Sequence, residues 1–202
     1  MIDERYLPVM EEFYSLQGEG FNTGKAAYFI RIGGCDVGCH FCDVKEAWNA
    51  SLLAPVDVED IIRRIKPLPA RNVVVTGGEP LLYDLNYLTK RLHEEGITIF
   101  LETSGSSPFS GSWDWVCLSA KRNTEPLKEN ILRADELKII VCDESDFSFA
   151  EHYATQVRND CLLYLQPEWS CRNEMMKKII EYIKQNPKWT ISLQSHKYMQ
   201  IP

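Results

Sequence analysis

The stretch "AAYFIRIGGCDVGCHFCDVKEAW", residues 26–48, joins an apolar run to a cysteine-rich loop. Ala26–Ile32 is short, apolar and bounded by glycine, the pattern of a buried strand. The loop that follows places Cys35, Cys39 and Cys42 within eight residues. Gly33, Gly34 and Gly38 leave its backbone free to wrap closely around a bulky guest.

Similar apolar runs recur at residues 72–76, 97–103, 115–119, 136–141, 161–166 and 189–194, and helix-like segments separate several of them. Asp57 is placed to cap "VEDIIRRIK"; "DLNYLTKRLHEEG" sets Leu85, Leu88 and Leu92 on one face and stops at Gly96; "NEMMKKIIEYIKQ" runs into Pro187. Seven strands alternating with helices predict an α/β fold with a mostly parallel sheet and right-handed crossovers, either a partial (β/α) barrel or an open doubly wound sheet. No repeat, low-complexity tract or linker interrupts the pattern, so residues 1–202 read as one domain.

Almost every run ends in a polar cluster: the cysteine loop after Ile32, then Thr76-Gly77-Gly78-Glu79, Glu102-Thr103-Ser104, Ser119-Ala120-Lys121, Gln166-Pro167 and Gln194-Ser195-His196. In a parallel sheet these ends share one edge. That edge is where barrels and open α/β sheets build their sites.

Composition narrows what the loop holds. A chain of 202 residues, 45% of them hydrophobic, buries a core without staples, so its seven cysteines are not needed for stability. The opening "MIDERYLPVMEEF" is charged from its third residue, and no apolar run approaches the about 18 residues of a membrane span. A cytosolic, reducing location is therefore expected, where a cysteine cluster fits a metal or redox site better than a disulfide framework. The formal charge of −7, with basic residues dispersed among acidic ones, argues against a basic stripe for nucleic acid and for a small substrate.

Structural zinc takes four ligands in two pairs, and no second Cys or His pair follows at a fitting distance. His40 inside the loop would be a strained ligand and reads as a neighbour of the site or a surface residue. Cys117, Cys142, Cys161 and Cys171 are scattered and read as structural thiols. Three thiolates at this spacing fit a [4Fe-4S] cluster with one iron left for a non-protein ligand.

The Cys35-x3-Cys39-x2-Cys42 spacing, with Phe41 directly before the last cysteine, resembles the signature of the radical S-adenosylmethionine superfamily, whose free iron is chelated by the amino and carboxylate groups of that cofactor. "TGGEP", Thr76 to Pro80, resembles the superfamily's turn at the end of its second strand. Further segments, "FYSLQGEG" (13–20), "RIGGC", "CDVKEAW", "ETSGS" (102–106), "LSAKR" and "SLQSHKYMQIP", extend the likeness from near residue 10 to residue 202. Together they resemble the 7-carboxy-7-deazaguanine synthase family.

That resemblance implies a truncated, partial (β/α) barrel of the radical SAM type, commonly homodimeric. It implies a carbon–nitrogen lyase that converts 6-carboxy-5,6,7,8-tetrahydropterin to 7-carboxy-7-deazaguanine with loss of ammonia, in the biosynthesis of queuosine and related 7-deazapurines. The implied chemistry is reductive cleavage of S-adenosylmethionine, fed by a flavodoxin or ferredoxin-type donor, then abstraction of a hydrogen atom from the pterin, ring contraction and return of the hydrogen. Cys35, Cys39 and Cys42 are the implied cluster ligands. Gly78, Glu79, Ser119, Ala120, Lys121, Gln166, Pro167, Glu168 and Trp169 match the S-adenosylmethionine contacts. Leu16, Gln17, Gly18, Glu19, Arg31, Thr76 and Pro202 match the substrate contacts: Arg31 is suited to the pterin carboxylate, Gln17 and Glu19 to the pyrimidinone edge, and the carboxylate on Pro202 to ring N–H groups. A departure falls at Val44. The family carries there a threonine that helps hold Mg2+, so magnesium is either held by Asp43, water and substrate alone or is less needed. The rival readings are an activase of a glycyl-radical enzyme and a non-catalytic module in which the cysteines bind zinc or a cluster structurally.

Overall fold

Strand order decides between the two architectures that the sequence leaves open. The computed structural model describes residues 4–69 and 71–202. Its strands are β1 (Tyr6–Leu7), β2 (Val9–Leu16), β3 (Ala26–Ile32), β4 (Val56–Asp57), β5 (Asn72–Gly77), β6 (Thr98–Thr103), β7 (Trp115–Leu118), β8 (Glu136–Val141), β9 (Leu162–Pro167) and β10 (Trp189–Ile191). The helices are α1 (Val58–Ile65), α2 (Asn86–Glu94), α3 (Lys128–Arg133), α4 (Ser145–Ala154), α5 (Arg172–Gln185) and α6 (Ser195–Met199). The main sheet runs β10-β9-β8-β7-β6-β5-β3-β2, while β1 and β4 form a small antiparallel ribbon. From β3 to β10 each strand of the main sheet lies parallel beside the next in sequence. A doubly wound sheet would reverse direction at a switch point; this one never does, so it is a partial (β/α) barrel.

All seven expected strands are present. The last stops at Ile191, three residues short of the expected run, because the chain there turns into α6. An unexpected eighth member, β2, pairs antiparallel with β3 and closes one edge. The expected caps hold: the Asp57 carboxylate accepts from the Glu59 N–H at 2.9 Å at the start of α1, and Gly96 ends α2's turn in the left-handed region at φ +69°.

Alternation along each strand sends its side chains to two different places. On the convex face, Ile30, Val75 and Leu101 pack under Ile61, Leu88 and Leu92 of α1 and α2. Further along, Leu137, Ile139 and Leu165 pack under Ile131, Ala150 and Ile179 of α3, α4 and α5. On the concave face, Phe29, Val74, Phe100 and Trp115 lie in register across β3, β5, β6 and β7 and form an apolar plug with Ala27 and Phe13. Two residues further along each of these strands the same face changes character, to Arg31, Thr76, Glu102 and Cys117. The plug floors the barrel, and Arg31, Thr76 and Glu102 above it line a cavity of about 300 Å3 at the C-terminal ends of the strands. No helix among the described residues is long and apolar enough to cross a membrane.

Candidate active site

Two loops that are 44 residues apart at their glycine pairs are built as one piece. The Gly78 N–H donates to the Ile32 carbonyl at 2.9 Å and the Glu79 N–H to the Gly34 carbonyl at 2.8 Å. A Cβ at Gly78 would stand 2.1 Å from the Gly34 oxygen and 3.0 Å from the Cys35 Cβ, so no larger residue fits where the two loops meet. Asn123 pins the cysteine loop from the other side, donating through Nδ2 to the Gly38 carbonyl at 2.9 Å. Cys35, Cys39 and Cys42 are half-buried free thiols, and all three line the cavity. Burial pushes the Cys35 and Cys39 thiols up, and the nearby Lys121 ammonium pulls Cys39 back toward the thiolate. Three free thiols on one loop, all lining the cavity, would suit a cluster that leaves one iron for a non-protein ligand.

Glu79 behaves differently from the expected cofactor contact. It is 1% exposed, and its carboxylate accepts from Thr103 Oγ1, from the Leu81 and Ser104 N–H groups and from Ser104 Oγ. Its side chain therefore latches the glycine pair to the end of β6, and Gly77 and Gly78 supply the cavity wall. Ala120 is likewise buried behind the wall, between Ser119 and Lys121, which do line it. Lys121 folds back through Nζ onto the Ser119 carbonyl at 2.7 Å. Gln166 accepts from Ser192 Oγ at 2.6 Å, and the Glu168 carboxylate caps the turn at Ser170, accepting from its N–H at 2.9 Å. Trp169 carries the Arg172 guanidinium 3.9 Å above its ring.

The expected substrate contacts line the same cavity. Gln17 is 5% exposed and donates through Nε2 to Glu102 Oε1 at 3.2 Å, while its own Oε1 accepts from the Glu19 N–H at 3.2 Å. Gly18 is pressed against the C-terminal segment: its carbonyl accepts from the Ser195 N–H at 2.9 Å, and a Cβ there would strike His196 Nδ1 at 2.3 Å. Leu16, Arg31, Thr76 and Pro202 also line the cavity. Arg31 donates through Nε to Glu11 at 2.5 Å, and the Pro202 carbonyl accepts from Ser15 Oγ at 3.2 Å. At the rim, Val44 and Asp43 face the cavity and Asp43 is paired with Lys197 at 2.9 Å. His40 is exposed and packs edge-on against Phe41, the surface alternative named for it.

At the centre stands a residue that sequence reasoning passed over. Lys138, 3% exposed in the middle of β8, donates through Nζ to Glu19 Oε2 at 2.7 Å and Glu102 Oε2 at 2.9 Å. Burial alone disfavours its ammonium, but Cys117, Glu102, Glu19 and Glu136 together outweigh burial and hold its pKa well above the usual lysine range. Burial would also raise Glu19, yet Lys138 and the Gln194 amide hold that carboxyl down at about 2. Glu102 goes the other way: burial, aided by Glu136 and Glu19, pushes it up against the pull of Lys138. One ammonium thus stands between a carboxylate fixed in its ionised form and a carboxyl that holds a proton more readily. The available signal was a lysine inside the otherwise apolar run "ELKIIV".

The comparisons with known proteins agree with this geometry. Residues 29–139, from the inward-facing Phe29 of β3 to Ile139 beside Lys138, match the Radical SAM superfamily. A 7-carboxy-7-deazaguanine synthase of Flavobacterium psychrophilum is 53% identical over 97% of this chain and 93% of its own, and one from Synechocystis is 42% identical over 96% and 93%. The crystal structure of QueE from Escherichia coli superposes with a TM-score of 0.84 at 33% identity, covering 95% of both chains. With nearly the whole length shared in sequence and in fold, the chain belongs to the radical SAM superfamily and, within it, to the 7-carboxy-7-deazaguanine synthase family.

Proposed function

We propose that this chain is a radical SAM lyase that converts 6-carboxy-5,6,7,8-tetrahydropterin to 7-carboxy-7-deazaguanine with loss of ammonia, in the biosynthesis of 7-deazapurines such as queuosine. The observation that carries the reading is that the three cysteines and the hydrogen-bonded Gln17–Glu19–Lys138–Glu102 network line one cavity. When bound, a [4Fe-4S] cluster on Cys35, Cys39 and Cys42 and S-adenosylmethionine supply an electron and a 5′-deoxyadenosyl radical able to take a hydrogen atom from the substrate. Gly78, Ser119, Lys121 and the 166–169 turn, which line the cavity, would hold the cofactor. Arg31, Gln17, Glu19, Thr76 and Pro202 hold the pterin.

The protein's own groups then have defined tasks. Glu19, kept ionised by Lys138, accepts from ring N–H or amino groups and orients the pyrimidinone edge. Arg31 offers its guanidinium to the carboxylate. Glu102, pushed up by burial, accepts from Gln17 at one oxygen and from Lys138 at the other, and so ties the substrate-binding residues into one network. The floor of Phe29, Val74 and Phe100 keeps water from below the reacting ring.

Magnesium is the family component that these residues do not fit. The Val44 side chain has no oxygen and its carbonyl already accepts from the Ala47 N–H at 3.1 Å, while Asp43 is engaged by the Lys197 ammonium. Among the described residues no three His, Cys, Asp or Glu side chains come together as a site for a single ion. Of the two alternatives that Val44 leaves, lower dependence on Mg2+ is the one these contacts support. A flavodoxin or ferredoxin-type donor, a homodimer and a cytoplasmic location complete the proposal.

Anaerobic reconstitution tests it. About four irons and sulfides per chain, 5′-deoxyadenosine formed only with reductant, and 7-carboxy-7-deazaguanine formed from the carboxytetrahydropterin are expected. Cofactor cleavage without that product would point to a glycyl-radical activase, and three cysteines that hold only zinc would reduce the chain to a structural module.

A further inference from the structure

The segment "CDVKEAW" ends at a tryptophan that the proposed function leaves without a task. Residues Lys45–Trp48 form a short 3-10 helix just after the cysteine loop. Trp48 Nε1 donates to Cys42 Sγ at 3.4 Å, a reasonable length for an N–H bond to sulfur. The carbonyl of the same residue accepts from the Cys35 N–H at 3.3 Å, and that of Ala47, fully buried, accepts from the Gly34 N–H at 2.5 Å. One helical turn is therefore bound to both ends of the cysteine motif, its main chain to the first cysteine and its side chain to the last. Trp48 is half-buried and lines the cavity, and Lys45 Nζ stands 6.0 Å over its ring.

From these contacts we infer that Trp48 is a positioning residue for the cluster, closing the loop through its carbonyl and tuning the cluster through its indole N–H. The inference rests on the cluster reading above. A hydrogen bond to a ligating sulfur favours the more negative, reduced state, because a donor is attracted more strongly as charge on the sulfur grows. Trp48 therefore raises the reduction potential and makes the cluster easier for a biological donor to charge. The carbonyl contact to Cys35 holds the turn in place.

The test uses two variants of the reconstituted enzyme. In one, Trp48→Phe removes the N–H and part of the ring; in the other, benzothienylalanine replaces Trp48, keeping its shape but putting sulfur where the N–H was. Iron and sulfide are counted, and the midpoint potential is read by following the reduced cluster's electron paramagnetic resonance during redox titration. Both variants are expected to keep the wild-type iron content and to show a more negative midpoint. The expected size is up to about a tenfold fall in the equilibrium constant for reduction, equivalent to ~59 mV for one electron. An unshifted midpoint in the benzothienylalanine protein would overturn the inference while leaving the cluster reading intact. A wild-type protein that fails to take up about four irons would instead overturn that reading itself.

Discussion

The convex and concave faces of the same strands obey different rules. On the convex face Val75, Leu101 and Ile139 meet the helices, and what matters is apolar volume in the right amount. On the concave face the residues one position away, Thr76, Glu102 and Lys138, are chosen atom by atom: each carries a polar group aimed at a cavity, and each charge needs its partner. The two faces share a backbone, so a shift of one residue in register would exchange them. A barrel strand is thus both wall and tool, and only the pattern of partners distinguishes the two uses.

The largest predicted effect sharpens that contrast. Leu101→Ala on the convex face leaves a cavity and is expected to cost about 2–5 kcal/mol of stability. Lys138→Met on the concave face leaves Glu19 and Glu102 facing each other without a counter-ion, an expected loss of about 3–5 kcal/mol. The two variants should look alike in a denaturant melt and unlike in turnover. Normalised to folded protein by circular dichroism, Leu101→Ala keeps a kcat/KM near wild type. Lys138→Met loses at least about a hundredfold, because two charge-assisted bonds worth about 1.5–3 kcal/mol each no longer orient the substrate contacts. Equal specific activities would mean that Lys138 is scaffolding and that the two faces do not differ as argued.

A smaller effect follows from the proton balance on the concave face. Glu19 is held at about 2 in the folded protein against an ordinary 4.5. A depressed carboxyl stabilises the fold fully above its ordinary value, and that contribution drains away as pH falls from about 4.5 toward about 2. Glu102, pushed up, works in the opposite sense: its share is present in acid and is lost as pH rises through its folded value. Glu19→Gln should therefore flatten the acid limb of an unfolding free-energy profile measured between pH 5 and 2. A profile as steep as that of the wild type would show that Lys138 does not hold Glu19 ionised. The matching convex-face variant, Leu101→Ala, should lower the whole profile without changing its slope.

The contrast also explains what the sequence disclosed. Convex-face residues and the loops at the strand ends are local signals: "NVVVTGGEP" announces a strand, a tight turn and its direction within nine residues. β2 was missed because an edge strand carries Glu11 and Glu12 among its apolar positions, so "VMEEFYSL" shows no unbroken run. The helix α4, "SDFSFAEHYA", mixes aromatic and polar residues without a clear apolar stripe. Lys138 shows in sequence only as a charge inside a strand, and its role is hidden for a different reason. Its burial depends on Glu19, 119 residues earlier in the chain, and nothing near "ELKIIV" indicates that a carboxylate will arrive there. Glu79 sat in a recognised motif, but which way its side chain turns is settled by Thr103 and Ser104, again from another strand.

The smallest predicted effect lies at the rim, where the two faces end and the cysteine loop begins. A divalent cation near the substrate carboxylate needs oxygen ligands, and here the candidate position is Val44 while the neighbouring Asp43 holds the Lys197 ammonium at 2.9 Å. That ammonium already offers positive charge at the rim of the cavity, without the octahedral set of oxygens Mg2+ would demand. Turnover of enzyme stripped by chelation should therefore change by less than about twofold when Mg2+ is restored, a difference under about 0.5 kcal/mol. Val44→Thr supplies the missing hydroxyl and should introduce a dependence on the ion, and Lys197→Met, which frees Asp43, should increase it further. Titration with Mn2+ as a paramagnetic probe gives a reading independent of activity: weak or no binding in the wild type, measurable binding in the double variant. Strong stimulation of the wild type by Mg2+ would show instead that Lys197 leaves Asp43 when substrate enters, and that the rim, unlike the strands below it, is rebuilt by what it binds.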